Sequence, residues 1–155
     1  MLTRYFAIYN TLGSEMKSLQ SLVEENPDVF RDAVRETEAT LFELEDRLGV
    51  VLPVEVKWFL LECGSGGSGA VPNARASISD TIRFRAAIAL PSRYVVLEER
   101  NDGGSVFLDT STGSVAWVDS HAVSAFAAGT ALDSEYDEFP TFAAWVKDCV
   151  EWAHD

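Results

Sequence analysis

Leu48-Gly49-Val50-Val51-Leu52-Pro53 is the stretch whose reading decides how the first half of this 155-residue chain folds. Glycine enters the left-handed backbone region that stops a helix, and proline opens the next one because a first turn does not need its missing N–H. The six residues therefore read as a stop and a start between two packed helices. Upstream, Phe30, Val34, Thr37, Leu41, Leu44 and Leu48 recur in steps of four and three, one face of an amphipathic helix. That helix is expected to run unbroken from the Asn26-Pro27 cap to Leu48, with Asp28 at its positive end. Downstream, Val56, Phe59, Leu60 and Cys63 share a face and Gly64 ends it.

Further out, Tyr5, Tyr9, Leu12, Met16, Leu19 and Val23 predict an additional N-terminal helix over residues 1–25, interrupted only by Gly13. Residues 64–77, which include Gly64-Ser65-Gly66-Gly67-Ser68-Gly69, read as a flexible loop. Ser79 is expected to cap a short helix through Ala89, with Ile82, Ala86 and Ala89 inward. From Tyr94 the period changes to two. Tyr94–Glu98, Val106–Asp109 and Val115–Asp119, separated by Asn101-Asp102-Gly103-Gly104 and Ser111-Thr112-Gly113, predict an antiparallel meander of at least three strands. An acidic loop over 133–138 follows. Pro140 then opens a closing helix that buries Phe142, Trp145, Val146, Cys149 and Trp152 or Ala153. The expected fold class is α+β in a single domain, residues 1–155, with its core over about 27–153.

Composition narrows the partners. With 25 acidic and 12 basic residues the net charge is −13, and the basic residues are scattered, which disfavours nucleic acid and anionic membrane surfaces. A cationic protein is the favoured partner, although acidity also serves plain solubility. Cys63 and Cys149 form no metal-ligand spacing and read as buried thiols. No secretory leader and no run of 18 or more apolar residues is apparent, so the cytoplasm is the expected location.

The order of these signals resembles the SUKH superfamily over roughly residues 36 to 152. The residues that carry the resemblance are Glu45, Leu48-Gly49, Leu52-Pro53, Trp58-Phe59-Leu60-Leu61, Gly64, Asp102-Gly103-Gly104, Leu108-Asp109, Gly113, Trp117 and Phe139-Pro140-Thr141-Phe142. The Gly/Ser loop and the N-terminal helix depart from the family pattern. SUKH proteins serve as immunity proteins beside bacterial polymorphic toxins and also occur as cellular regulators. The resemblance thus implies a non-enzymatic binding protein that occludes a cognate toxin, with a scaffold without a toxin partner as the alternative.

No HExxH, Walker, GxGxxG or GxSxG motif is present, and neither a cofactor nor a metal site is expected. Asp119, Ser120 and His121 nominally assemble a hydrolase set, but neighbours on a strand do not converge on one point. The expected partner-binding surface is an acidic one: Glu98, Glu99, Asp102, Asp119, Glu135, Asp137 and Glu138, with Trp117 and Tyr136 as apolar anchors.

Overall fold

The computed structural model describes residues 2–64, 73–100, 103–132 and 136–155, with side chains described from Gly13 onward. In chain order the elements are α1 (Leu2–Glu25), α2 (Pro27–Phe30), α3 (Glu38–Leu48), α4 (Val54–Glu62), α5 (Ala74–Ile88), β1 (Tyr94–Glu99), β2 (Gly104–Asp109), β3 (Val115–Asp119), α6 (Val123–Ala127), β4 (Tyr136–Phe139) and α7 (Phe142–His154). The fold is α+β, a four-stranded antiparallel sheet in the order β1-β2-β3-β4 with helices before and after it. Gly49 sits at φ +65° and its N–H bonds the Glu45 carbonyl, so the predicted stop is in place. Pro53 then caps α4, whose Val56, Phe59, Leu60 and Cys63 are all buried.

The helix expected over Pro27–Leu48 is instead two. Thr37 forms a capping box with Thr40, which starts α3 afresh, and the intervening Val34 is exposed rather than inward. Glu36 explains why the chain leaves the helix here. Its backbone N–H bonds Leu60 O at 2.9 Å, and its carboxylate accepts from the Ala74 N–H and the Thr40 hydroxyl at 2.8 and 2.9 Å. One residue thereby ties the beginnings of α3 and α5 to the end of α4. Gly64, at φ +101°, lies so close to the Val34 backbone that a Cβ would overlap it.

The expected start of α5 is also corrected. Asn73 caps it by accepting from the Ala76 N–H at 2.9 Å, so residues 74–77 are helix rather than loop. Residues 65–72 of the expected loop lie outside the described residues. The buried face is Ala74, Ser77, Ile78, Thr81 and Phe84, which packs on the core and on β1, leaving Ile82, Ala86 and Ala89 exposed. Thr81 also accepts the N–H of Val96 at 2.9 Å, which tethers α5 to the edge strand β1.

Both faces of the sheet are covered. Val95, Leu97, Val106, Leu108 and Val115 pack with Leu19, Leu44, Phe59, Phe142 and Trp145 on one side. Val96, Phe107, Ala116 and Val118 pack with Phe84, Val123 and Ala127 on the other, where Phe107 stacks on Phe126 at 4.9 Å. In α7 the inward set includes Val150, whereas Trp152 is 73% exposed and Ala153 exposed as well. Among the described residues no helix is long and apolar enough to cross a membrane.

Two substitutions check this packing. Thr37→Ala removes the side-chain half of the α3 cap and should cost about 1 kcal/mol in urea denaturation. Gly64→Ala must both adopt a left-handed backbone and displace the Val34 chain, and should cost more than the cap does, about 2 kcal/mol or above.

Candidate protein-binding surface

The segment expected to be an acidic loop contains β4. Tyr136-Asp137-Glu138-Phe139 pairs antiparallel with β3, with Val118 opposite Tyr136, Trp117 opposite Asp137, Ala116 opposite Glu138 and Val115 opposite Phe139. Its far side carries no further strand among the described residues, so β4 is the open edge of the sheet. A four-residue strand with two exposed acids is well suited to such an edge, because charge deters pairing with a stray strand.

The strand register decides which residues share a face. One row across the sheet runs Glu98, Val106, Trp117, Asp137, and its neighbour runs Glu99, Ser105, Val118, Tyr136. Glu98, Trp117 and Asp137 therefore lie on the face covered by α7, while Glu99, Tyr136 and Glu138 belong to the face covered by α6. Glu98 and Glu99 are also three strands away from β4, about 14 Å by ordinary strand spacing. Each is engaged locally: Glu98 pairs with Arg100 at 3.3 Å, and Glu99 pairs with Arg83. Asp102 and Glu135 lie outside the described residues.

Trp117 lies across β2 over Gly104, where a Cβ would overlap the indole nitrogen. It is partly buried against the main core, and its Nε1 has no hydrogen-bond acceptor among the described residues. Asp119 accepts the His121 backbone N–H at 2.9 Å, so its carboxylate shapes the turn after β3 and is not directed to the imidazole. Tyr136 donates its hydroxyl to Glu138 at 2.7 Å, and burial first, then that carboxylate, pushes its phenol up to about 12.

The sheet meets α7 where the sequence reading assigned nothing. Asp148 has its carboxyl raised above its ordinary value, by burial first and then by the charges of Glu151 and Asp137, against the opposing pull of Arg100. Asp148 thus feels the charges of both Asp137 and Glu151; Glu151 is itself paired with Lys147 at 3.8 Å, and Glu98 with Arg100 borders the group. The signal was present as Asp148 and Glu151, three apart on one helix side, but only the register of β4 adds Asp137 to them. Burial pushes the Cys149 thiol up to about 12 and the Cys63 thiol up to about 11; both are free.

A helix-flanked antiparallel sheet with an acidic open edge defines a class of scaffold that presents a surface. Family comparison makes this specific: residues 16–152 match the model described as SUKH_5, SMI1-KNR4 cell-wall, and the chain belongs to this SUKH family. No curated protein matches the chain.

The raised Asp148 carboxyl has a sign that can be tested. Its folded-state affinity for protons exceeds the unfolded one, so its charge destabilises the fold at neutral pH and the penalty fades as pH falls through the carboxylate range. Asp148→Asn should therefore raise the melting temperature at neutral pH, with the gain vanishing in acid. Both thiols should resist a disulfide reagent such as dithionitrobenzoate at mildly alkaline pH in the native chain and react once urea unfolds it.

Proposed function

We propose that the chain is an immunity-type protein that binds a basic, nuclease-like protein toxin in the cytoplasm and neutralises it by occlusion. The observation that carries this reading is the acidic cluster of Asp137, Asp148 and Glu151 at the open β4 edge of a SUKH scaffold. Like charges held together at a cost to the fold are an arrangement that a cationic partner relieves. Glu138 and Tyr136 extend the same edge on its other face, and the net charge of −13 steers a basic partner toward it. Binding rather than catalysis is favoured by the turn role of Asp119, which leaves His121 without a carboxylate to orient it among the described hydrogen bonds. The cell-wall description of the family supports a second reading, a scaffold that recruits a cellular protein without toxicity.

Co-expression with the product of the adjacent gene separates the two. Suppressed toxicity and a co-purifying complex support immunity, whereas a harmless partner, or none, removes it. In such a complex Asp137→Lys together with Asp148→Lys should slow association about tenfold at low salt and far less at high salt. His121→Ala should leave the affinity unchanged.

A further inference from the structure

At the opposite end of the sheet, beside the β2–β3 turn, α4 buries a second acidic residue, Glu55. It is 5% exposed, more buried than any other described charged side chain, none of the described hydrogen bonds or ion pairs involves it, and it lines a surface cleft. The comparably buried Asp109, by contrast, accepts from Ser111 and pairs with Arg93. Position in the first turn of α4 favours a negative charge through the helix dipole.

Glu55 opens onto a cleft of about 360 Å³ lined by Glu15, Val51, Pro53, Val54, Thr112 and Gly113. Gly113, at φ +79°, lets the carboxylate close to the turn: a Cβ there would stand 3.3 Å from Glu55 Oε1. Glu15 of α1 supplies a second carboxylate, its carboxyl raised by burial first and by the Glu55 charge second. Two acids therefore face one cleft, and none of the described ion pairs brings a cation to either. Val51 and Val54 stand at the rim, 74% and 62% exposed.

We propose that this cleft receives the cationic side chain, arginine or lysine, of a protein partner, with Glu55 as its floor and Glu15 as its wall. The inference rests on the reading that the chain binds a basic protein, and it assigns that protein an inserted anchor distinct from the β4 edge. The exposed valines suit the apolar stem and neighbours of such a residue, which a hydrated metal ion lacks. A divalent cation is further disfavoured because calcium takes six to eight oxygen ligands, and no group of three or more acidic, histidine or cysteine residues able to hold a metal occurs among the described residues.

Amide NMR titration of the full chain tests this without a toxin, using the peptides acetyl-Val-Arg-Val-amide and acetyl-Val-citrulline-Val-amide, which share a shape and differ in charge. The arginine peptide should move the amides of Val54, Glu55, Thr112 and Gly113, and citrulline should not. Glu55→Gln should weaken the response about tenfold while the amide spectrum away from the cleft stays that of the unaltered chain. If Glu55→Gln fails to fold, Glu15→Gln carries the same comparison. Equal shifts with citrulline, an unchanged response in Glu55→Gln, or stronger shifts of the same amides with calcium chloride would overturn the proposal. A toxin that binds while the peptide does not removes this cleft alone; a peptide that binds while no toxin does removes immunity and leaves the cleft.

Discussion

β2 is buried along all six of its residues, and the arrangement of the other elements follows from keeping it so. A strand buried on both faces needs helices above and below, which α1, α3, α4 and α7 provide on one side and α6 on the other, while α5 contributes Ala74 and Ile78 to the first and Phe84 to the second. Nothing functional can then sit on the faces of the sheet. Chemistry is driven to its periphery: the edge strand β4, the turn at each end, and the helix ends that border them. On the β1 side the edge strand is tethered to α5 through Thr81, and β4 is the opposite edge among the described strands.

Charge acquires meaning against that constraint. Asp137, Asp148 and Glu151 share one boundary between strand and helix, and Glu15 and Glu55 share another at the opposite end of the sheet. In both places acids face acids: Glu151 is paired with Lys147 at 3.8 Å and Arg100 offsets Asp148, whereas none of the described ion pairs reaches Glu15 or Glu55. The scattered surface pairs, such as Arg47 with Glu43 at 3.7 Å, contribute little by comparison.

Much of this fold was readable because its punctuation is local. Gly49, Pro53, Gly64, Gly103 and Gly113 mark stops and turns by conformations that the residue type itself requires, and the meander followed from period-two runs between them. The misreadings share a cause, in that a hydrophobic period can continue past a break it does not record. The 30–48 period runs through the Thr37 cap, and the α5 start was set at Ser79 when the cap is Asn73, which left Ala74, Ser77 and Ile78 out of its buried face. β4 escaped because an edge strand carries its charges outward and so imitates a loop. The geometry of the candidate surface was not legible: Trp117 comes to stand opposite Asp137 only through the β3–β4 register, Glu98 and Glu99 fall on different faces, and Asp148 joins them only through tertiary packing. Glu55 could not be found at all, since a buried carboxylate and a solvated one look the same in sequence.

Hydrogen exchange of the free chain against its complex with the adjacent gene product tests the central claim, that recognition occurs at the acidic β4 edge. The account predicts new protection over Tyr136–Phe139 and across residues 148–151 of α7. Protection confined to the outer surfaces of α3 and α5, with β4 exchanging as in the free chain, would contradict it.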